Sequence, residues 1–334
     1  MTNYDVAIIG GGPVGMFAAS FSALHGAKPI ILESLAEIGG QPKMIYPEKD
    51  ITDIAGFSKV SGEDITSQLL EQVQSYDVAI KTNFKVSTIE ESEFYTLKSE
   101  LGDLIQAKSI IIATGNGSFN PKKLPVKISN PTTIEEKIYY SVSELEKFTN
   151  KAVAVFGGGD SAIDWANMVA EVADHVYLIH RRDKFRAMSY NVEQLKSKDN
   201  VTFVTPFLPK DVALTDTNQL DFTLKQLKAQ TEPKHLLCDE AIVSYGFNTT
   251  NHLLSAIDVD TERGFICVDE TMQTNLKNVF AVGDSITRPG HLPLITLGFG
   301  EAQVAVTTLM KQLFSDNNMA VHSTSLTKPD NSNN

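Results

Sequence analysis

Residues 6–15 read VAIIGGGPVG, and residues 153–162 read VAVFGGGDSA. Each stretch is a short apolar run that ends in three glycines and continues into small residues. In a G-x-G-x-x-G turn between a strand and a helix, the first glycine allows the tight bend. The second lets a pyrophosphate approach the backbone, and the third lets the helix pack against the strand. The recurrence therefore predicts two dinucleotide-binding turns in one chain.

The residues around both turns alternate between strand and helix patterns. The first turn lies between the strand-like YDVAIIG and the helix-like VGMFAASFSALHG, and a second strand-like run, AKPIILE, follows. The same order repeats after Lys151, so each turn belongs to a βαβ unit that begins a doubly wound parallel sheet. We expect an α/β protein with two Rossmann-like domains. The turn positions are Gly10, Gly12 and Gly15 in the first copy and Gly157, Gly159 and Ala162 in the second.

Two stretches have the composition of crossings between domains. Residues 116–150 are rich in Pro, Asn, Lys and Thr, and a second crossing is expected near residues 246–251. We therefore predict a discontinuous first domain, residues 1–117 and 249–334. A second domain, residues 118–248, is inserted into it.

The residue at the tip of the second strand distinguishes the two turns. Glu33 follows the first glycine of its turn by 23 residues, and His180 does so in the second copy, followed by Arg181 and Arg182. A carboxylate accepts hydrogen bonds from ribose hydroxyls and repels a 2′-phosphate, whereas cations bind that phosphate. We expect FAD or NAD at the first turn and NADP(H) at the second, where Arg186 is a further candidate. The alternative is a solvated basic turn.

Composition excludes several other classes of protein. The net charge of −12 argues against nucleic-acid binding. The two cysteines, Cys238 and Cys267, form no Cys-x-x-Cys motif and no zinc-spaced cluster, so we expect inert thiols and no metal. Residues 6–24 are uncharged, but their glycines and Pro13 would break a membrane-spanning helix. We expect a cytoplasmic protein that contacts no membrane.

Four further motifs resemble the two-domain flavoprotein disulfide reductases of the thioredoxin-reductase-like branch. They are IIIATGNG at 110–117, LIHRRDKFRA at 178–187, TNLKNVFAVGD at 274–284 and GFGEAQVAV at 298–306. The resemblance implies bound FAD and NADPH, with Asp284 bonded to the ribityl chain of the flavin. It also implies a helix beginning after Gly300 whose N-terminus faces the flavin pyrimidine edge. Asp160 and Ser161, which open the second helix, are assigned to NADPH.

The Cys-x-x-Cys of thioredoxin reductases is missing, because residues 137–148 read KIYYSVSELEKF. Without two thiols the chain cannot reduce a disulfide by that route. Instead, residues 39–57 and the HSTSL stretch at 322–326 resemble the ferredoxin–NADP reductases of the thioredoxin-reductase-like type. This resemblance implies a homodimer in which Tyr46 stacks on one flavin face and His322 of the partner subunit on the other. It also assigns flavin contacts to Val14, Gln41, Val86, Phe119 and Ser325.

The implied reaction passes a hydride between NADPH and flavin, and single electrons between flavin and a ferredoxin or flavodoxin. The residues alone leave other interpretations open. A loop tyrosine such as Tyr46 is often packing, His322 lies in a polar tail, and Val86 and Phe119 are typical core residues. An NADPH oxidase or quinone reductase, a disulfide reductase that uses an outside dithiol, and a redox-sensing regulator are the alternative functions.

Overall fold

The computed structural model describes residues 3–128, 131–142, 144–226, 232–250 and 252–314. The chain divides into two compact units. The first unit consists of two separate parts of the sequence, Met1–Phe119 and Thr249–Asn334, and the second consists of Asn120–Asn248. The second unit is thus inserted into the first, between two crossings of the chain.

The first part of unit 1 contains eight strands and three helices among its described residues. The strands are β1 Asn3–Ile9, β2 Pro29–Leu32, β3 Asp50–Ile51, β4 Val60–Ser61, β5 Ala79–Lys81, β6 Val86–Glu91, β7 Tyr95–Ser99 and β8 Leu104–Ile112. The helices are α1 Pro13–Leu24, α2 Gly40–Ile45 and α3 Gly62–Ser75. The predicted strand–helix–strand order around the first glycine turn is confirmed as β1–α1–β2.

Between the two crossings the chain forms unit 2. Its described strands are β10 Lys127–Ile128, β11 Ile138–Tyr139, β12 Ala152–Phe156, β13 His175–Ile179, β14 Val201–Val204, β15 Leu208–Leu214, β16 Leu220–Lys225, β17 Lys234–Cys238 and β18 Glu240–Val243. Its helices are α4 Pro131–Glu135, α5 Asp160–Val169 and α6 Ser189–Lys196. The crossings themselves are β9 Ser118–Pro121 and β19 Phe247–Thr250, which pair with each other.

After the second crossing the chain returns to unit 1. The returning elements are β20 Thr261–Glu262, β21 Phe265–Cys267, β22 Val279–Ala281, β23 Ile286–Thr287 and α7 Ile295–Leu313. A short 3₁₀ turn, Gly283–Ser285, follows β22 directly. This turn and the first half of α7 lie beside the first glycine turn, as described below.

The main sheet of unit 1 is organised around β8. The strand order is β5-β2-β1-β8-β7-β6, and β22 also pairs with β8. One edge of β8 pairs in parallel with β1, while the other pairs with β7 near its start and with β22 at its end. Ile110, Ile111 and Ile112 are fully buried. Apolar runs of this kind are typical of parallel strands covered on both faces.

The described residues of unit 2 form two sheets. The five-stranded sheet β11-β18-β12-β13-β14 is parallel throughout, and the four-stranded sheet β10-β15-β16-β17 is antiparallel except for its β10–β15 pair. Phe156 and Phe222, one from each sheet, pack with ring centroids 4.8 Å apart. The parallel sheet repeats the β–α–β order of unit 1, so the prediction of two Rossmann-like domains is confirmed.

The described residues contain neither a membrane-spanning helix nor a metal-binding cluster. None of their helices combines the length and the apolarity that crossing a membrane requires. No group of three or more His, Cys, Asp or Glu side chains within the described ranges is arranged to hold a metal ion.

Gly10 is a tightly packed position of the first glycine turn that a single substitution can test. Its φ is +112°, and a Cβ added there would overlap the carbonyl oxygen of Ala113. We expect Gly10→Ala to destabilise unit 1 by about 2–4 kcal/mol, because backbone strain and overpacking add. Thermal unfolding of purified protein measures this effect.

The matched control is Gly26→Ala. Gly26 also has a positive φ, +86°, but an added Cβ would meet nothing within 4 Å. This variant should lose only about 1 kcal/mol of stability, the cost of an alanine in the left-handed conformation. Equal losses in the two variants would show that close packing at Gly10 contributes nothing.

Candidate functional site

The first glycine turn is fixed to the ends of two strands by backbone hydrogen bonds. The Gly10 N–H donates to the Leu32 carbonyl oxygen at 2.9 Å, which continues the β1–β2 pairing one residue beyond the strands. The Gly39 N–H donates to the Gly11 carbonyl oxygen at 2.8 Å. The turn is therefore held from both sides, and the Glu33 side chain reaches the Gly11 N–H.

Glu33 lies where the sequence predicts it, at the tip of β2, and is 6% exposed. Its Oε2 accepts the Gly11 N–H at 2.7 Å, and its Oε1 accepts the Leu35 N–H at 2.8 Å and the Ser34 hydroxyl at 3.0 Å. A buried carboxylate needs such donors to offset its lost hydration. Because each carboxylate oxygen has two lone pairs, Oε2 can accept a further hydrogen bond from a ribose hydroxyl.

The start of α1 fits a phosphate group. Gly12 is the N-cap, Pro13 occupies the first turn, and no described side chain caps the helix. The N–H groups of its first turn therefore remain available, at the positive end of the helix dipole. α5, which begins after Gly159, likewise has no side-chain cap among the described residues. Both helix starts thus offer donors to a pyrophosphate.

Val14 joins three segments of unit 1. A Cβ added to Gly298, in α7, would lie 2.5 Å from Val14 Cγ2, and one added to Gly283 would lie 3.4 Å from the same atom. Gln41 lies on α2, and its Nε2 would be 3.9 Å from a Cβ added to Gly115. The predicted motifs of unit 1 therefore converge on the first glycine turn, although they are far apart in sequence.

Asp284 and Tyr46 lie in the same electrostatic environment. Asp284 Oδ2 accepts from Asn116 Nδ2 at 3.3 Å. Burial raises the pKa of the Asp284 carboxyl, with Glu301 adding to the rise and His291 opposing it. Burial raises the pKa of Tyr46 to about 12, and the charges of Asp284 and Asp53 contribute. Tyr46 is therefore a neutral, half-buried ring close to these carboxylates.

A cluster that the sequence did not predict surrounds Glu301 on α7. Glu301 is 2% exposed, and its Oε2 accepts the Gly283 N–H at 3.0 Å. Its Oε1 accepts from Arg288 Nη2 and from His291 Nδ1, both at 3.1 Å. The available signal was a lone carboxylate in the apolar run ITLGFGEAQVAV. Asn116 lies inside the motif IIIATGNG at 110–117, but no role was assigned to it from the sequence.

The predicted start of the C-terminal helix was wrong. Gly298 and Gly300 were expected to precede its N-terminus, but α7 begins at Ile295 with Leu294 as its N-cap. Gly298 is already inside the helix. A glycine is needed there because only a residue without a Cβ allows the close approach of Val14. The helix end that can face an anion is therefore the Ile295 turn, where Thr296 Oγ1 donates to the Asp53 carbonyl oxygen at 2.8 Å.

The remaining flavin-contact predictions have different outcomes. Val86 is 7% exposed in β6 and packs in the hydrophobic core. The backbone of Phe119 belongs to β9, but its side chain lies outside the described residues, as do His322 and Ser325. The stacking role of His322 and the contacts of Val86, Phe119 and Ser325 stay predictions.

The second glycine turn repeats the construction of the first. The Gly157 N–H donates to the Ile179 carbonyl oxygen at 3.0 Å, and the Arg186 N–H donates to the Gly158 carbonyl oxygen at 2.7 Å. His180 directly follows β13, and its ring lies against Gly158, where an added Cβ would fall on the ring. His180 thus occupies the position that Glu33 has in unit 1.

Cations surround this second turn. Arg181, Arg182 and Arg186 are all exposed. The pKa of His180 is lowered by burial first and then by the charges of these three arginines. The pKa of Tyr245, just beyond β18, is raised by burial and opposed by Arg181. The positive charge therefore lies at the carboxyl ends of parallel strands, where nucleotides bind in open α/β sheets.

Asp160 and Ser161 lie on the first turn of α5 and are exposed. Asp160 Oδ1 accepts the Met188 N–H at 2.9 Å, which ties the loop after Arg186 to the helix start. This contact directs the carboxylate toward the loop, and the assignment of both residues to NADPH stays a prediction.

The two cysteines are separate and unpaired. Cys238 is fully buried in β17, where burial raises the pKa of its thiol, and Cys267 is partly buried in β21. Thiolate is the reactive form, so a buried thiol with a raised pKa is inert.

Comparisons with known proteins agree with this geometry. The pyridine nucleotide-disulphide oxidoreductase family profile matches residues 4–308. The chain is 44% identical to a ferredoxin–NADP reductase of Lactobacillus johnsonii, over 98% of this chain and 100% of the relative. It is also 44% identical to one of Lacticaseibacillus paracasei, over 97% and 98% of the two chains.

Solved structures show the same fold. The thioredoxin reductase of Lactococcus lactis is 27% identical, with a TM-score of 0.77 and coverage of 93% of this chain and 99% of the other. The thioredoxin reductase of T. acidophilum is 23% identical, with a TM-score of 0.78 and coverage of 94% and 99%. The second likeness shows the fold alone.

Asp284→Asn tests the buried carboxylate. The raised pKa of Asp284 means that its ionised form is disfavoured in the folded apoprotein, so this residue's contribution to stability is lost as pH rises through its folded pKa. We expect the apoprotein of this variant to unfold at a higher temperature than wild type at pH 7. Flavin affinity should fall about 10- to 150-fold, through loss of a charge-assisted hydrogen bond.

The control for this prediction is Asp103→Asn, because Asp103 is exposed and pairs with Lys81 at 3.1 Å. It should change neither property. Calorimetry of apoprotein and fluorescence titration with flavin provide the two readouts, and an Asp284→Asn apoprotein less stable than wild type would contradict the prediction.

Proposed function

Since the chain belongs to the pyridine nucleotide-disulphide oxidoreductase family, we propose that its two glycine turns hold the two partners of one electron-transfer reaction. The protein is a flavin-dependent oxidoreductase that moves electrons between NADP(H) and a ferredoxin-type carrier, the activity for which its 42–44% identical relatives are named. The finer assignments, FAD at the first turn and NADPH at the second, are our proposal.

One observation carries the proposal, namely the opposite chemistry of two equivalent positions. Glu33 follows β2 and His180 follows β13, the equivalent strand of the second unit, and each contacts the middle glycine of its own turn. The first is a buried carboxylate, and the second begins a run with three exposed arginines. A 2′-phosphate is repelled at the first position and attracted at the second.

The first turn fits FAD better than a mononucleotide. The uncapped start of α1 can hold a pyrophosphate, while Glu33, at the tip of β2, can accept a hydrogen bond from the adenosine ribose. Asp284, which follows β22, can accept from the hydroxyls of a ribityl chain. A dinucleotide needs both ends of this site, whereas a flavin mononucleotide has no adenosine for Glu33.

The bound flavin supplies the exchange between two-electron hydride chemistry and one-electron transfer. The residues of this chain position it. Tyr46, half-buried and neutral, can stack on one ring face, and His322 of a second subunit is proposed for the other. The first turn of α7, from Ile295, presents N–H groups that stabilise negative charge on a reduced ring. No acid or base residue is required for the hydride itself.

The chain has no thiol pair to take a hydride equivalent onward, so the dithiol route is excluded, and the one-electron carrier is proposed from the names of the relatives. Residues 137–148 contain no cysteine, and Cys238 is buried. Flavodoxin as an alternative carrier, a homodimer and a cytoplasmic location complete the proposal. Lys122 and Lys123 are exposed cations that an acidic carrier could contact.

An anaerobic titration tests the whole proposal. Purified protein should be yellow, release FAD on denaturation and be bleached by NADPH at much lower concentration than by NADH. Oxidation by ferredoxin faster than by air or by a small quinone supports the carrier assignment, and the reverse order would support an oxidase or quinone reductase. A colourless protein that binds no flavin would contradict the proposal.

Arg181→Ala tests the second turn. We expect NADPH affinity to fall about 10- to 150-fold, because one charge-assisted hydrogen bond to the 2′-phosphate is lost, and NADH affinity to stay unchanged. Arg182→Ala and Arg186→Ala test the other two cations in the same way.

The matched control is Arg263→Ala, an exposed arginine of unit 1. Equilibrium titration of each variant with both nicotinamides gives the ratio of affinities. An unchanged ratio in all three variants of the second turn would refute the proposed phosphate site.

A further inference from the structure

Unit 1 contains a buried ionic cluster beside the 3₁₀ turn Gly283–Ser285, called the flavin-site turn below. The proposed reaction assigns no role to this cluster. Glu301 contributes the carboxylate, and Arg288 and His291 contribute the two basic groups, each 3.1 Å from Glu301 Oε1. The side chain of Glu301 is 1% exposed, that of His291 13% and that of Arg288 24%. The inference below rests on the proposed function.

The Glu301 side chain is hydrogen-bonded to a backbone N–H of the flavin-site turn. Its Oε2 accepts the Gly283 N–H, and Gly283, at φ +69°, immediately precedes Asp284. Glu33 makes the same kind of contact with Gly11 at the other end of the site. In each case a buried carboxylate holds the N–H of a glycine in a ligand-binding turn. Glu301 is therefore placed to fix the direction in which Asp284 points.

The charges of the cluster allow one of its two basic groups, His291, to change its protonation state. A buried carboxylate requires one cation to balance it, and Arg288 is always charged. The charge of Glu301 is thus balanced whether His291 is neutral or protonated. Because an ionised carboxylate only accepts hydrogen bonds, His291 Nδ1 must donate to Oε1, which leaves Nε2 as the ring nitrogen that can gain or lose a proton.

His291 also acts on the carboxylate at the flavin site. The backbone N–H of His291 donates to the Arg288 carbonyl oxygen at 3.2 Å, so both basic residues belong to one closed turn. The charged groups around His291 are Glu301 from α7, Arg288 from its own turn, and Asp284 from the 3₁₀ turn. The pKa of Asp284 responds to His291 and to Glu301, and the charge of Asp284 in turn contributes to the raised pKa of Tyr46.

We propose that His291 Nε2 binds a proton when hydride transfer adds negative charge to the flavin, and that Glu301 and Arg288 are positioning residues for this step. Hydride transfer from NADPH leaves NADP⁺ and adds one proton and two electrons to the flavin. The charge of the flavin therefore changes by −1. The proton for His291 comes from solvent, which its partly exposed ring reaches.

The proton balance closes over the full reaction. Two ferredoxin molecules remove one electron each, the proton that arrived with the hydride is released, and His291 returns its proton to solvent. The sum is one NADPH and two oxidised ferredoxins giving NADP⁺, two reduced ferredoxins and one proton. His291 changes no stoichiometry, but it cancels a charge that would otherwise accumulate next to Asp284.

The test is potentiometric titration of the purified flavin-loaded protein as a function of pH, a readout independent of NADPH and of turnover. For each pH unit, we expect the equilibrium constant of two-electron flavin reduction to change by an additional factor of ten in wild type compared with His291→Gln. This difference corresponds to a slope of the midpoint potential that is steeper by about 30 mV per pH unit in wild type. His25→Gln is the matched control, since His25 follows α1 at the end opposite to the glycine turn, and it should keep the wild-type slope.

Glu301→Gln separates proton binding from folding. It keeps an oxygen that can accept the Gly283 N–H but removes the negative charge that stabilises protonated His291. The steep region of its potential–pH curve should therefore move to lower pH. Equal slopes in wild type and His291→Gln, or an unmoved region in Glu301→Gln, would overturn the inference.

These outcomes are distinguishable from failure of the proposed function. In one case, wild type and His291→Gln bind flavin and differ in the slope of the flavin potential against pH, but NADPH does not reduce the flavin. This result would refute the proposed reaction and support the role of His291. A protein that NADPH reduces, with equal slopes in wild type and His291→Gln, would do the opposite.

Discussion

Both glycine turns, the proposed nucleotide sites, depend on a hydrogen bond that extends a parallel strand pair by one residue. In unit 1 the Gly10 N–H bonds to the carbonyl of Leu32, and in unit 2 the Gly157 N–H bonds to the carbonyl of Ile179. This bond fixes the register, so the next residue of the second strand lies over the next glycine of the turn. One side chain, Glu33 or His180, then determines the charge that a ligand meets.

Two buried carboxylates of unit 1 hold glycine N–H groups at the proposed flavin site. Glu33 and Glu301 both accept a glycine N–H, and both are almost inaccessible to solvent. Removing a carboxylate from water is costly, and the donors around each offset that cost. Around Glu33 the donors are backbone N–H groups and a hydroxyl, whereas an arginine and a histidine donate to Glu301 in addition to the Gly283 N–H. The two ends of the proposed flavin site thus differ in the groups that surround their carboxylates.

The sequence was sufficient to predict the elements that depend on local pattern. The strand–turn–helix order at both glycine turns, and the opposite charges at residues 33 and 180–182, could be read from spacing alone. The start of α7 could not, because Gly298 indicates a turn in sequence but serves close packing against Val14 in the fold. The contacts of Glu301 with Gly283, Arg288 and His291 were also missed, since they depend on how a buried helix face is packed.

The pairing of β22 with β8 has a consequence for the order of folding during synthesis. β8 ends at Ile112, but its last neighbour, Val279–Ala281, is separated from it by the whole of unit 2. A ribosome therefore completes residues 120–248 before the segment that closes the sheet of unit 1 exists. Because domains fold as units and the earlier ones fold first, the inserted domain can reach its native state while the surrounding one still awaits its final strand.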